Sequence, residues 1–535
     1  MPGILTWITF IPLLAAMVLL FVPAGGRGIQ RMVTLVATII QLLLSVVAWV
    51  GFQDTQTQVT FTTGFQLQER YEWFTLAMGD AFVFRVEYFL GADGFSLPLV
   101  MLSSFILVIG VISSWNVQQQ TRGYYFLYLL LATSIVGCFV ALDFFLFYLF
   151  FELMLLPMFF LIGIWGGKRR SYASIKFFIY TLVGSLLILI VMIGLYISAV
   201  APGTEIHTFN LLHLMDANNY LTDSLMAPGN TALLWGLPIR EVAFLALIVG
   251  FAIKLPVVPL HTWLPDAHVE APTSISVLLA ALLLKVGGYG ILRIAYPIFP
   301  DAAFQWSYLV AGFGVLSIIY GGMNALAQRD LKRLVAYSSV SHMGFVLLGI
   351  GALTSEGISG GLFHMLSHGL ISGALFLIVG VIYDRTGDRK IENFSGLASK
   401  LPAFTAVVVV VFFASLGLPG LSGFVGEVMV LMGAYASSGS NGIISLTMAV
   451  IATIGILISA IYYLWTLQRM FFGAYWVRES HWEPDMKDLS VREYVLFVPL
   501  VVLIILLGVW PRLVLEVSQE TTTLFITHMK SFLAN

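Results

Sequence analysis

A chain of 535 residues that is 59% hydrophobic, only 10% charged and close to neutral (formal net charge −2) cannot present a charged surface to water. Its mean hydropathy of +0.95 and recurrent apolar runs of about 20 residues exclude a soluble domain and mark an all-α, polytopic membrane protein with the lipid bilayer as its solvent. The charge balance argues against nucleic acid as a partner. The single cysteine, Cys138, leaves no disulfide framework and no thiolate set for zinc or an iron–sulfur cluster.

Taken in order, the pattern predicts about fourteen spans, centred on 4–21, 33–51, 95–114, 124–140, 144–164, 177–200, 242–256, 274–295, 308–325, 334–351, 360–382, 404–432, 443–465 and 494–510. The first run lacks a basic flank and a cleavage site, so it reads as a retained span. No hydrophilic block is large enough for a cofactor domain. Arg27, Arg31, Arg122, Lys168, Arg169, Arg170, Arg329, Lys332, Arg333, Arg385, Arg389, Lys390 and Lys400 all fall on one side of this arrangement. The loops 53–92 and 201–240 on the other side are net acidic. The positive-inside rule then makes the basic side cytoplasmic and places both termini outside.

Two spans are interrupted. The seventh carries Lys254 in an apolar run and breaks at Pro256 and Pro259, within FAIKLPVVPLHTWLPDAHVEAP. Proline removes a backbone donor and disrupts the helix, which frees carbonyls beside the lysine. Two readings follow: a transporter's ion site at a discontinuous helix, or a kink whose lysine snorkels to the headgroups. The twelfth span breaks in GLPGLSG at Pro419 and Gly420, beside Glu427. An odd number of spans separates the breaks, so two five-helix units inserted in opposite senses are expected, with discontinuous helices 7 and 12. The corresponding division is 1–123 (flanking helices 1–3), 124–300 (first repeat), 301–475 (inverted second repeat) and 476–535 (C-terminal flanking helix).

The remaining ionisable groups at membrane depth are few. Glu152 lies in FYLFFELMLLPMFF and needs a cation or water beside it, and Lys254 is its natural partner, whether as a structural ion pair or as a switch. Lys285, in LLAALLLKVGGYG, has no acidic neighbour in sequence. It suits a proton relay, or it binds carbonyls of a broken neighbouring helix. Its glycines permit close helix contact or a π-type irregularity, and no strand precedes them to make a nucleotide loop. His342 and His368 lie on consecutive spans among serines, as proton carriers or as packed hydrogen-bonding groups. His364 shares a face with His368, but no carboxylate or thiolate in the sequence matches that spacing, so no metal site is expected. Glu427 is alone in its apolar region. His261, Asp266, His268 and Glu270 read as loop groups, with Thr273 and Ser274 capping span 8, and Arg293 as a snorkelling residue at that span's outer end.

FELMLLPMFFLIGIWGG, KLPVVPLHTWLPDAHVEAPTS, LLLKVGGYG, DLKRLVAYSSVSHMGF, LSHGLISGALFL and LPGLSGFVGE run from span 5 to span 12. Together they resemble the antiporter-like membrane subunits of NADH:quinone oxidoreductase, respiratory complex I. Within that family the nearest likeness is to the chain M, or chain 4, branch. Chains L and N and the Mrp antiporter subunits usually carry lysine where Glu427 stands. The resemblance implies proton translocation: Glu152 and Lys254 as a switching ion pair, Lys285 as central relay, His342 and His368 as carriers, and Glu427 ending the path. It also implies neighbouring membrane-arm subunits, antiporter-like ones included; with no mitochondrial address signal visible, a bacterial inner (plasma) membrane is expected. NADH, FMN, iron–sulfur clusters and quinone would then belong to other subunits, with no cofactor in this chain. The alternatives are an Mrp-type monovalent cation/proton antiporter subunit and the equivalent subunit of a membrane-bound hydrogenase.

Overall fold

The computed structural model describes residues 3–52, 59–78, 82–440 and 442–532. The chain termini and part of the 53–92 loop, on which the expectation of outward ends and one acidic loop partly rests, lie outside the described residues. Among the described residues, twelve helices are long and apolar enough to cross a membrane. Lipid offers no partner for backbone N–H and C=O groups, so each span must close its own hydrogen bonds as a helix. Two further segments are discontinuous, each a pair of helices with a non-helical break between them: Ile239–Lys254 with Trp263–Glu270, and Pro402–Ser415 with Ser422–Ser440. These are the two segments that proline and glycine interrupt in the sequence.

Burial sorts the helices. Thr273–Ile298 and Ser355–Thr386 are wholly enclosed along their apolar windows and Leu331–Gly351 nearly so, whereas Ile4–Phe21, Arg27–Gly51 and Val491–Val509 bury only a third of theirs. The enclosed helices carry Lys285, His342, His364 and His368. Polar groups in a bilayer face the bundle interior, and the enclosed helices are where these lie.

Outside the bundle, the chain departs from the all-helical expectation. Gln66–Met78 and Phe82–Ala92 pair as an antiparallel hairpin. Glu69 on this hairpin accepts the backbone N–H groups of Gly3, Leu5 and Thr6 at 3.0, 2.8 and 3.2 Å, capping the first helix from 60-odd residues away. Glu87 takes a two-pronged bond from Arg70 (2.8 and 2.9 Å) and a third from Asn210 (3.1 Å). Burial opposes charge on Glu87, but Arg70, Asn210 and Arg85 outweigh it and hold the carboxyl below its ordinary range. On the same face, the helix Arg512–Ser531 follows the last span. Thr521 accepts the N–H of Gly94, Thr522 accepts the hydroxyl of Ser359, and His528 meets the carbonyl of Pro297. One amphipathic helix thereby ties three distant spans together.

Candidate functional site

At the first break, Pro256 and Pro259 cannot donate, and the freed groups find other partners. The N–H of Val257 reaches the carbonyl of Ala252 (2.9 Å), that of Val258 reaches Ser317 Oγ (3.0 Å), and the Trp263 indole reaches the carbonyl of Ile253 (2.9 Å). Lys254 is the last residue of its half-helix and 2% exposed. The carbonyl end of a helix carries partial negative charge and suits a cation. The Lys254 ammonium makes no hydrogen bond and sits 4.1 Å from the centre of the Phe151 ring. Glu152, the residue after that phenylalanine, has a buried oxygen that is also unpartnered. The expected pair is thus not closed.

Lys285 is fully buried on Leu284–Gly290, between two π-helical turns, Leu279–Leu283 and Ile291–Ala295. Such turns displace carbonyls from the regular ladder, and Lys285 Nζ donates to one of them, on Ala280, at 2.6 Å. The carbonyl therefore belongs to its own helix rather than to a broken neighbour. Nζ also lies 2.7 Å from His368 Nδ1. A single proton between the two nitrogens satisfies this contact. Gly287 makes room for the arrangement: a Cβ there would press on the Phe251 carbonyl and Leu255 N–H at 2.8 and 2.7 Å, where the first break begins.

Beyond His368 stand His342 and His364, with ring centres 5.6 and 6.5 Å from it and 5.4 Å from each other. His342 Nδ1 is 3.3 Å from Glu427 Oε1, without hydrogen-bond geometry. Its other nitrogen is 3.3 Å from Ser415 Oγ, which donates to the Tyr463 hydroxyl (2.8 Å), which donates to Ser338 (3.0 Å). Glu427 is 1% exposed and lies in the second turn of Ser422–Ser440, near the N–H end that favours an anion. The break before it needs left-handed backbone at Gly417 (φ +79°) and Gly420 (φ +91°), flanking Pro419. A side chain at Gly417 would overlap the Glu427 carboxylate.

The structure therefore brings Lys285, His368, His342 and Glu427 into one buried series, and packs the first break, beside Lys254, against the Lys285 helix at Gly287. Its hydroxyl branch through Ser415, Tyr463 and Ser338 is not evident in the sequence, where nothing sets these three apart. Several other expectations change. Arg293 does not snorkel: it is fully buried, bonds Asp93, and lies within 4.7–5.7 Å of the rings of Phe61, Phe65 and Phe95. Desolvating a guanidinium requires such a partner, and Asp93 stands too far along the chain for the sequence to pair them. Asp266, His268 and Glu270 lie on a short helix rather than a loop. Asp266 clamps Lys176 (2.7 Å) and Arg333 (3.3 Å), and Glu270 accepts the N–H of Arg169 (2.8 Å). Ser274 does not cap its helix but meets the Tyr124 hydroxyl at 2.7 Å. Lys332, expected among the loop charges, is buried and donates to the Ala271 carbonyl at 2.6 Å.

Comparison with known proteins decides what this arrangement belongs to. The family described as NADH:quinone oxidoreductase/Mrp antiporter, TM, matches residues 141–458, and the amino terminus of NADH-ubiquinone oxidoreductase chain 4 matches residues 32–140. The chain is a member of this family. NADH-quinone oxidoreductase subunit M of Rhodobacter capsulatus is 42% identical over 521 residues, covering 96% of this chain and 95% of the relative. NAD(P)H-quinone oxidoreductase chain 4 of Gloeobacter violaceus is 36% identical over 98% of this chain and 93% of its own. A chain of respiratory complex I from Thermus thermophilus superposes with a TM-score of 0.79 at 29% identity, covering 98% and 99% of the two chains. A chain of the Mrp complex from Dietzia superposes equally well (0.79, 98% of each chain) at 21% identity, a likeness of fold alone.

Proposed function

We propose that the buried series Glu152, Lys254, Lys285, His368, His342 and Glu427 is the path along which this chain moves protons. The chain functions as a proton-translocating membrane-arm subunit of an NADH:quinone oxidoreductase, in company with other membrane subunits, antiporter-like neighbours among them. The contact that carries the residue-level reading is Lys285 Nζ to His368 Nδ1 at 2.7 Å, two nitrogen bases with room for one proton between them in a site closed to solvent. Lys285 takes a proton from the Lys254 side, passes it to His368, and His342 delivers it to Glu427 through water bridging the ring gap. Glu152 and Lys254 act as the switch. When they close, both stay ionised, and when they part, the lysine yields its proton toward Lys285. The protons of so tight a group belong to the ensemble and not to single residues.

In this reading the two interrupted crossings are spans 7 and 12 of fourteen, within inverted units 124–300 and 301–475 flanked by 1–123 and 476–535. The basic loops face the cytoplasm of a bacterial inner membrane and the hairpin lies outside. Electron transfer, with its NADH, FMN, iron–sulfur clusters and quinone, belongs to other subunits. The test is proton uptake per electron in membranes carrying Lys285→Ala in an assembled complex. Pumping is expected to fall by about tenfold or more, as for loss of a positioned acid–base group. Wild-type pumping would refute the path.

A further inference from the structure

We propose that His342, His364 and Glu427 form a binding site for a divalent transition-metal cation of the zinc type, and that a cation held there blocks the proton path. The second half rests on the path described above, while the first stands on geometry alone. The ligand atoms of the three side chains all lie within 4.8 Å of one another, and each residue is at most 4% exposed. Both nitrogens of His364, both oxygens of Glu427 and Nδ1 of His342 lack a hydrogen-bond partner. Buried polar groups are ordinarily satisfied, so unused lone pairs converging on one point call for an occupant. No lysine or arginine pairs with Glu427 among the described residues.

The donor set selects the class of cation. Two imidazoles and one carboxylate with an open fourth position are what zinc accepts, at about 2.0–2.2 Å from each ligand. Nitrogen donors disfavour sodium, magnesium and calcium, which prefer oxygen. Such bond lengths set neighbouring ligand atoms roughly 3.3 Å apart in a tetrahedron. His342 Nδ1 and Glu427 Oε1 already stand at 3.3 Å. The wider edges close by turning His364, whose ring has no hydrogen bond to break. The other nitrogen of His342 faces Ser415 Oγ at 3.3 Å, the kind of outer partner that fixes a ligating ring. A dication here occupies the lone pairs that would receive a proton from His368. It also repels the ammonium form of Lys285, so metal and proton compete for one site.

The experiment uses the purified, chelator-treated complex titrated with zinc chloride, comparing wild type with His364→Gln and Glu427→Gln. Zinc retained after gel filtration is counted per complex, and proton pumping is followed in parallel in liposomes. Wild type is expected to keep one more zinc than either variant, and the zinc concentration that halves pumping should rise about tenfold or more in His364→Gln. Equal zinc content in wild type and both variants would overturn the site, whatever zinc does elsewhere in the complex. Extra zinc in wild type with pumping unchanged would leave the site standing and overturn the block, and with it the path through these residues. If a variant fails to pump, zinc content in the assembled complex still decides the site.

Discussion

The two discontinuous helices solve one problem with opposite charges. At the first, the group at the break is a lysine on the carbonyl end of Ile239–Lys254. At the second, it is a glutamate near the N–H end of Ser422–Ser440. Each charge meets the helix end whose partial charge opposes it, so the break itself supplies part of the solvation that lipid withholds. The difference lies in what stands beside them. Lys254 has an aromatic face and an unclosed glutamate, whereas Glu427 has histidines. On the proposed path, the first break would hold or release a charge and the second receive one.

The comparison predicts that the two ends fail alike in pumping. Glu427→Ala should cut proton translocation by about tenfold or more while the complex assembles, as measured by acidification per electron in vesicles. Normal pumping there would detach the second break from the path. Gly417→Ala sharpens the claim, because it leaves every ionisable group in place. It puts a side chain into left-handed backbone and against the Glu427 carboxylate, costing about 1–2 kcal/mol locally and lowering pumping several-fold, though less than loss of the carboxylate itself.

Two further substitutions lie outside the breaks and should leave pumping alone. Asp143, at the end of a span beside the hairpin, is buried, and burial lifts its carboxyl to about 7 despite N–H bonds from Leu146 and Glu87. Since the native state holds this proton more tightly than an unfolded chain, whose carboxyl titrates near pH ~4, its contribution is full at low pH. That contribution is lost as pH rises through about 7. Hydrogen exchange around Glu87 and Leu146 should therefore quicken over that interval beyond the intrinsic rise, and Asp143→Asn should remove the excess. The smallest effect is expected from Asp266→Asn, which loosens Lys176 and Arg333 in a partly solvated clamp. Thermal unfolding should show a loss of about 1 kcal/mol or less.

Much of this was legible because lipid makes polarity conspicuous. A lone Lys254, Lys285 or Glu427 in an apolar run, and prolines or glycines interrupting one, announce themselves without a structure. What the sequence concealed depends on long-range partners. His364 looks ligandless until folding brings Glu427 to it, and Arg293 looks peripheral until Asp93 is set against it. The π-helical turns around Lys285 leave no trace in spacing beyond permissive glycines. The hairpin and the helix Arg512–Ser531 escaped because their apolar faces rest on the end of the bundle, where a hydropathy window averages them away.

The most direct test of the switch at the first break is proton pumping alongside NADH:quinone electron transfer in membranes carrying Lys254→Ala. Loss of both, or loss of pumping alone, with the complex assembled, is the predicted result. Wild-type rates of both would contradict the account and leave Lys254 as the buried end of a kinked helix.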